Sequence, residues 1–259
     1  MGTVALIAGG AAFASILGGL LALVRPPTSL AMSIVFGLAS GVLIGAVTLE
    51  MLPEALDLAS LAEVVAGFAA GFLAIWVFDL YINRWHLAGE QAAQYGRVRA
   101  YHRAHRPRGD RVTVLAGGTS AEELVEGLAI GAGIAVEPEV GLLIAAAIAV
   151  DNLSEGMSIG EFVAGTRAES ASARSPLRRT LAWTGLVGAS LFVASSAGWL
   201  LFRDVDPELL GLLLATGAGG MLYLTVAALV PPSEERQYQG SGALATGLGF
   251  LIILILTAI

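Results

Sequence analysis

Eight apolar stretches, each close to 20 residues long, constrain what this chain can fold into. A helix of about 20 residues rises about 30 Å, which matches the hydrocarbon thickness of a bilayer. The stretches cover 3–24, 30–52, 61–82, 113–136, 140–163, 180–202, 208–230 and 241–259. Only 14% of the residues are charged, against about 25% in soluble domains. The sequence therefore predicts an all-α integral membrane protein, with eight transmembrane helices in one polytopic domain over 1–259.

The arginines divide the connections between these spans into two kinds. All fourteen basic residues are arginine, and thirteen of them follow odd-numbered spans. Seven lie in the long connection 83–112, which also contains histidines such as His86. The even-numbered connections hold only Arg203, beside acids such as Glu137. Because arginine-rich loops stay in the cytoplasm, 83–112 is predicted to be a cytoplasmic loop of a plasma-membrane protein with both termini outside.

Charge and cysteine content exclude several classes of protein. The net charge of −7 gives no reason to expect a nucleic-acid partner, and membrane topology explains the arginines of 83–112. Without cysteine, the chain has no disulfide, no thiolate metal ligand and no catalytic thiol. No separate pattern of nucleophile and base is present, so we do not expect an enzyme. The expected partners are the lipid bilayer and metal ions, and a homodimer is left open.

A short acidic motif occurs twice inside the apolar spans. Glu122-Glu-Leu-Val-Glu-Gly127 returns 29 residues later as Asp151-Asn-Leu-Ser-Glu-Gly156. Over the ten positions that begin at Glu122 and Asp151, five residues are identical. An ionisable side chain at the centre of a membrane helix costs several kcal/mol unless it is paired, hydrated or metal-bound. An excess of buried acid with no buried base therefore indicates a cation.

Helix periodicity predicts how the motif residues are arranged. Positions i, i+1 and i+4 of a helix share one face, so each motif presents its polar residues together. The connection 136–139 is short, which makes the two helices antiparallel neighbours with both motifs near mid-span. The predicted site has only oxygen donors, which suit Mg²⁺, Mn²⁺, Fe²⁺ or Zn²⁺. Its residues are Glu122, Glu123, Glu126, Asp151, Asn152 and Glu155.

Other interpretations of the acids are open at this point. They could form hydrogen bonds between helices when protonated. They could also form a proton relay, because chains of carboxyl groups line proton paths in membranes. A membrane enzyme that activates water on a bound metal, or a metal sensor without transport, are further alternatives. Metal-dependent uptake into proteoliposomes would separate a transporter from the enzyme and the sensor.

At these residues the chain resembles the ZIP (Zrt/Irt-like) divalent-metal transporters. That family carries H-N-x-P-E-G-like motifs on two adjacent helices, and an upstream helix ends H-L-L-P-E-A. The upstream element reads Glu50-Met-Leu-Pro-Glu-Ala55 in this chain. The seventh span reads Ala218-Gly-Gly-Met-Leu-Tyr223 and continues to Leu229-Val-Pro231, similar to the family's G-x-x-x-Y…(E/D)-L-x-P segment. The similarity extends over the whole chain, including the eight spans and the position of the longest loop.

The resemblance implies transport of divalent transition metals of the zinc, iron and manganese class, with Cd²⁺ as a surrogate. It implies a 3+2+3 arrangement, in which the first three and last three helices form an inverted repeat around a metal site on the fourth and fifth. The family's ligand positions fall on the same six residues of the two motifs. The family's motif histidine is Glu122 here, Glu50 replaces the histidine of the second span, and the motif prolines are Val125 and Ser154. These departures predict a preference for harder ions and helices without proline kinks.

Further acids mark the two ends of a metal path. Acids where the second span meets the outside could collect cations at an entrance, and polar residues near the cytoplasmic ends of the third and fifth spans could form an exit. The predicted entrance consists of Glu50, Glu54 and Asp57, and the predicted exit of Asp79, Glu161 and His86.

Overall fold

Eight long helices make up the described part of the chain, which in this computed structural model covers residues 2–82, 111–165, 175–233 and 238–258. No strand is present within these ranges. We number the helices α1 to α8 in chain order, and α2 and α7 each consist of three consecutive pieces. The helices are α1 Gly2–Val24, α2 Ser29–Gly45 with Ala46–Met51 and Leu52–Leu58, α3 Leu61–Ile82, α4 Arg111–Val136, α5 Pro138–Gly165, α6 Pro176–Phe202, α7 Pro207–Leu224 with Thr225–Leu229 and Val230–Ser233, and α8 Gln239–Leu256.

Side chains at the helix starts explain several of these boundaries. The Thr28 hydroxyl accepts a hydrogen bond from the backbone N–H of Ala31, at 3.2 Å, and so caps α2. Ser175 and Asp206 cap α6 and α7 in the same way, and each is followed by a proline. Proline suits the first helical position, where the N–H has no partner within the helix. The structured helices therefore begin earlier than apolar composition alone predicts.

Seven of the described helices are long and apolar enough to cross a membrane, which is the architecture of a multi-pass membrane protein. The described residues contain the eight long helices that the sequence predicts, but α4 is not among the seven that are apolar enough to span. Its 26 residues include Arg111 and three glutamates of the first motif. α2 continues to Leu58, six residues beyond the predicted end of the second span, and α8 ends at Leu256 rather than at 259. The predicted loop 83–112 lies outside the described residues, except that Arg111 and Val112 belong to α4.

Two helices contain a widened π-helical segment near one end. In α2 the segment is Ala46–Met51, and the N–H of Leu52 donates to the carbonyl oxygen of Val47, five residues earlier. In α7 it is Thr225–Leu229, followed by the same five-residue step. A proline follows each segment within two residues, at Pro53 and Pro231. Because a proline ring clashes with the carbonyl four residues before it, a locally wider turn relieves the clash.

The four central helices are α2, α4, α5 and α7. α4 packs against α5, α6 and α7, whereas α5 packs against α4, α1 and α2. On the outside, α3 packs on α7, α8 packs on α2, and α1 also contacts α6. Large side chains such as Ile130, Ile144, Leu191, Leu214 and Met221 are fully buried between these helices. Leucines and isoleucines remain exposed on the outer faces, where lipid would contact them.

Candidate metal site

A tight turn brings the two acidic motifs to the same level of the bundle. Only Glu137 separates the end of α4 from the start of α5. Gly141 lies against Ile134, because a Cβ atom at Gly141 would be 2.7 Å from the backbone nitrogen of Ile134. Counted from Glu137, Glu123 and Asp151 are each 14 residues away, which is about 21 Å along their helices. The prediction that α4 and α5 are antiparallel neighbours with both motifs near mid-helix is confirmed.

The six predicted residues lie inside the bundle. Glu123 is 1% exposed, Glu126 and Asp151 are 4% exposed, and Asn152 is fully buried. Glu122 and Glu155 are half-buried. Such burial is unusual for acids, which are almost never fully buried unless they are paired.

The acids act electrostatically on one another across the two helices. Asp151 of α5 is the strongest charged neighbour of Glu123, Glu126 and Glu155, and Glu122 also acts on all of these groups. The carboxyl groups of Glu126 and Asp151 lie close enough to act directly on each other across the two helices. Within the described ranges, no arginine or histidine is among the charged groups that act on Glu123, Glu126, Asp151 or Glu155. The cluster therefore brings several acidic groups together, and none of their described charged neighbours is a base that would compensate them.

Hydrogen bonds position only part of the cluster. The Asn152 amide donates to the backbone carbonyl oxygen of Ala11 in α1, at 3.1 Å. The Ser154 hydroxyl donates to the Asp151 backbone carbonyl at 2.8 Å and lies 3.2 Å from a carboxylate oxygen of the same residue. Both carboxylate oxygens of Glu123 and the amide oxygen of Asn152 are buried without a hydrogen-bond partner among the described residues, although the Asn152 side chain lies near the Glu123 carboxyl group. Three oxygen atoms are thus free to accept from a donor or to bind a cation.

The carboxylates are gathered but do not converge on one point. In the part of the chain that the structure describes, no three acidic or histidine side chains are arranged as closely as the ligands of a single metal ion. Ser154 contributes a hydroxyl that the sequence analysis had treated only as the replacement of a proline. The sequence could have indicated this contact, because a serine three positions after Asp151 in a helix can form a hydrogen bond with it.

The glycines of the motifs make close contacts with two other helices. A Cβ atom at Gly127 would lie 2.7 Å from the carbonyl oxygen of Leu191 in α6, and one at Gly131 would lie 2.7 Å from that of Ser195. In the second motif, a Cβ atom at Gly156 would overlap the carbonyl oxygen of Ser15 in α1. At both glycines, therefore, the missing side chain allows a neighbouring helix to approach at backbone distance. The approaching helix is α6 at Gly127 and α1 at Gly156. The glycine therefore has the same packing role in both copies of the motif.

Both motif helices run without a break through Val125 and Ser154, the positions at which the motifs that the sequence resembles carry proline. α4 and α5 are continuous α-helices over Arg111–Val136 and Pro138–Gly165. Val125 faces α7, because a Cβ atom at Gly220 would lie 3.1 Å from its side chain. The prediction of motif helices without proline kinks is confirmed. The irregular backbone lies instead in α2 and α7.

The structure describes the predicted entrance fully and the predicted exit in part. Glu50 lies in the π-helical segment of α2, and Glu50 and Glu54 are half-buried, whereas Asp57 is exposed. Glu54 is close enough to Glu137, in the turn between α4 and α5, for the two to repel each other, a neighbour that the sequence analysis did not include.

Less of the exit can be described. Glu161 is exposed near the end of α5, Asp79 is described only as a backbone position of α3, and His86 lies outside the described residues.

No protein-family model matches the chain, and no curated protein matches it.

Proposed function

We propose that this protein transports divalent transition-metal cations across a membrane, in the manner of the ZIP transporters that its motifs resemble. The observation that carries the proposal is the acidic cluster on α4 and α5. Four carboxyl groups there interact with one another and with Glu122, and no base is among their described charged neighbours. A cation that enters between the helices would neutralise this charge, and the buried free oxygens of Glu123 and Asn152 would accept it.

The donor set defines the class of substrate. Carboxylate and amide oxygens bind hard and borderline ions, so the substrate is a divalent ion of the Zn²⁺, Fe²⁺ and Mn²⁺ class, with Cd²⁺ as a surrogate. Glu126 and Glu155 occupy equal positions in the two motifs and would bridge the ion. Because the acids do not converge on one point, binding requires their side chains to move together around the ion.

An internal repeat supports transport by exchange between two access states. A Cβ atom at Gly41 in α2 would overlap the carbonyl oxygen of Thr246 in α8, and one at Gly219 in α7 would overlap that of Phe68 in α3. Both pairs are related by a shift of 178 residues, since 41 + 178 = 219 and 68 + 178 = 246. We infer an inverted repeat of α1–α3 and α6–α8, because the paired helices run in opposite directions.

The sequence itself carries a trace of this repeat. Gly71-Phe-Leu-Ala-Ile75 in α3 and Gly249-Phe-Leu-Ile-Ile253 in α8 differ at one position of five, at the same shift of 178 residues. The π-helical segments also correspond, because each ends 22 residues after its helix begins, at Met51 and at Leu229. Repeats of opposite orientation are the basis of alternating access in many secondary transporters.

The proposed path runs between the two ends of the bundle. We call the end with the connections after α1, α3, α5 and α7 the arginine end, and the opposite end the acidic end. Metal would enter at the acidic end beside Glu50, Glu54 and Asp57, and leave at the arginine end near Glu161. By the positive-inside rule the arginine end is cytoplasmic and both termini are outside, which makes the transport direction inward across the plasma membrane.

A proton relay is the second candidate, because the Glu126 and Asp151 carboxyl groups act directly on each other across the two helices. One experiment separates the candidates. The purified protein is reconstituted in liposomes loaded with a metal-sensitive dye or with a pH-sensitive dye. A transporter gives Zn²⁺- or Mn²⁺-dependent dye signals that Glu126→Ala abolishes. Proton flux that needs no external metal would instead establish the relay, and metal binding without either flux would indicate a sensor.

A further inference from the structure

Ser154 lies in the second motif, three residues after Asp151, and its hydroxyl is directed at that residue. The hydroxyl oxygen is 2.8 Å from the backbone carbonyl oxygen of Asp151 and 3.2 Å from the carboxylate oxygen Oδ1. Ser154 is fully buried and Asp151 is 4% exposed, so the contact is shielded from solvent. Because a hydrogen bond to a charged carboxylate is about twice as strong as one to a neutral carbonyl group, ionisation of Asp151 favours donation to Oδ1.

The first motif has no hydroxyl at the equivalent position. Three residues after Glu122 stands Val125, which faces α7 near Gly220. Aspartate also has one side-chain torsion fewer than glutamate, so a single hydrogen bond is enough to restrict Asp151. The second copy therefore pairs a short acid with a hydroxyl, whereas the first copy pairs a longer acid with an apolar side chain.

Asp151 is also the acid that acts most strongly on the rest of the cluster. It is the strongest charged neighbour of Glu123, Glu126 and Glu155. The acids do not converge on one point, so their side chains have to move together around an ion. An acid whose position is set before binding provides a fixed point for that movement, because fewer side chains then have to be ordered when the ion binds.

We propose that Ser154 is a positioning residue, which holds the Asp151 carboxylate in place as the anchor for a divalent metal ion. The inference rests on the proposed function, because it concerns the same cation site. Without the hydroxyl, Asp151 loses its side-chain freedom only when the ion binds, so the affinity for the ion falls. The number of carboxylate ligands is unchanged. Ser154→Ala therefore raises the metal concentration for half-maximal uptake and leaves the maximal rate of uptake close to that of the unmodified protein.

The affinity for Mn²⁺ measures the effect directly. In titrations of the full-length protein in detergent, Ser154→Ala should bind Mn²⁺ about fivefold more weakly, the loss expected when one further side chain is ordered on binding. Ser154→Thr keeps the hydroxyl and should retain most of the affinity. Ser158→Ala is the matched control, because the Ser158 hydroxyl also lies in α5 but donates to a backbone carbonyl, that of Ser154, at 3.1 Å. Ser154→Cys, similar in size and a weak donor, is the second variant if Ser154→Ala does not elute as a single folded species.

A second measurement needs no metal. The chain contains six aspartates, so ¹³C labelling of the aspartate carboxyl carbons gives few NMR signals, and Asp151→Asn identifies the signal of Asp151. Loss of the hydrogen bond in Ser154→Ala should shift this signal. Ser158→Ala should leave it unchanged.

An Asp151 signal that stays in place in Ser154→Ala, or equal Mn²⁺ affinities in Ser154→Ala and Ser158→Ala, would overturn the positioning role alone. An equal loss of affinity in Ser154→Thr would also overturn it, since the hydroxyl would not be the cause. Mn²⁺ binding that depends on Ser154 but is not accompanied by uptake would retain the positioning role and refute the transporter. An unmodified protein that binds no Mn²⁺ would refute both.

Discussion

The two copies of the acidic motif make the same helix contacts but present different chemistry. In both copies the glutamate is followed by a glycine that brings a neighbouring helix into backbone contact, α6 at Gly127 and α1 at Gly156. At the second position of the motif, however, Asn152 donates to the Ala11 carbonyl, whereas the oxygens of Glu123 are unpartnered among the described residues. The fourth position is Val125 in one copy and Ser154, bonded to Asp151, in the other.

This difference teaches which parts of the motif serve the fold and which serve the site. The glycines cannot differ between the copies without separating a helix pair, because a methyl group would meet a backbone carbonyl. Under the proposed function the polar positions can differ, because a cation requires only that the two copies together supply enough oxygen ligands. The following predictions test that division, beginning with the largest effect.

Loss of either shared glutamate should remove transport. We expect Glu126→Ala and Glu155→Ala each to lower metal uptake by at least about 100-fold, because each deletes a charged donor at the centre of the cluster, equivalent to about 2.7 kcal/mol of binding. Uptake into proteoliposomes is the measurement. Glu139→Ala removes an exposed acid at the start of α5 and is the matched control. Near-normal uptake in both motif variants would show that the glutamates do not bind the substrate.

Replacing either motif glycine should lower the stability of the protein by about the same amount. Gly127→Ala and Gly156→Ala should each destabilise the protein by about 2 kcal/mol, since the added methyl group forces two helices apart. Thermal unfolding in detergent measures the effect. Gly185→Ala is the control, because no atom lies within 4 Å of its added Cβ atom, and it should be neutral or stabilising. A large loss of stability in only one of the two variants would show that the two helix contacts are not equivalent.

Protons should compete with the metal. Carboxyl groups bind a cation in their deprotonated form, so acidification from about pH 8 to about pH 5 should weaken metal binding about tenfold and metal binding should release protons. Binding titrations in detergent at several pH values, with proton release followed in weak buffer, measure both quantities. An affinity that stays constant over this range would argue against the carboxyl groups as ligands.

A histidine at the first motif position should sharpen the choice of ion. Glu122→His should raise the preference for Zn²⁺ over Mn²⁺ about threefold, because imidazole is a better ligand for zinc than for manganese. Competition uptake of the two ions by both proteins gives the ratio. Asp151→His tests the same idea at the first position of the other copy. Unchanged ratios in both variants would place these side chains outside the coordination sphere.

The sequence predicted the eight long helices and the antiparallel arrangement of α4 and α5. It also predicted that the six motif residues come together, because helical periodicity determines which side chains share a face. It did not predict which helices the glycines would meet. A pattern along one helix shows that one face carries small residues, but which helix packs against that face depends on how all eight helices pack. Nor did it predict the Glu54 and Glu137 neighbours, which come from separate parts of the chain.

The irregular backbone was also missed. Pro53 and Pro231 were noted as features of helix ends, yet the residues that change conformation precede them by several positions, at Ala46–Met51 and Thr225–Leu229. Neither segment contains glycine or proline, so nothing in its own composition signals a wider turn.

The polarity of α4 has a consequence for how the protein is made. Each acid at the centre of a helix adds about 2.5 to 3.5 kcal/mol to the free energy of entering the membrane from the translocon. Three glutamates in one helix therefore oppose the entry of α4 on its own. Its contacts with α5 and α6, which are synthesised later, cover the acids only after those helices have emerged. Biosynthesis should thus hold α4 at the translocon until its neighbours arrive, and a ribosome-bound chain truncated before α5 should leave α4 uninserted.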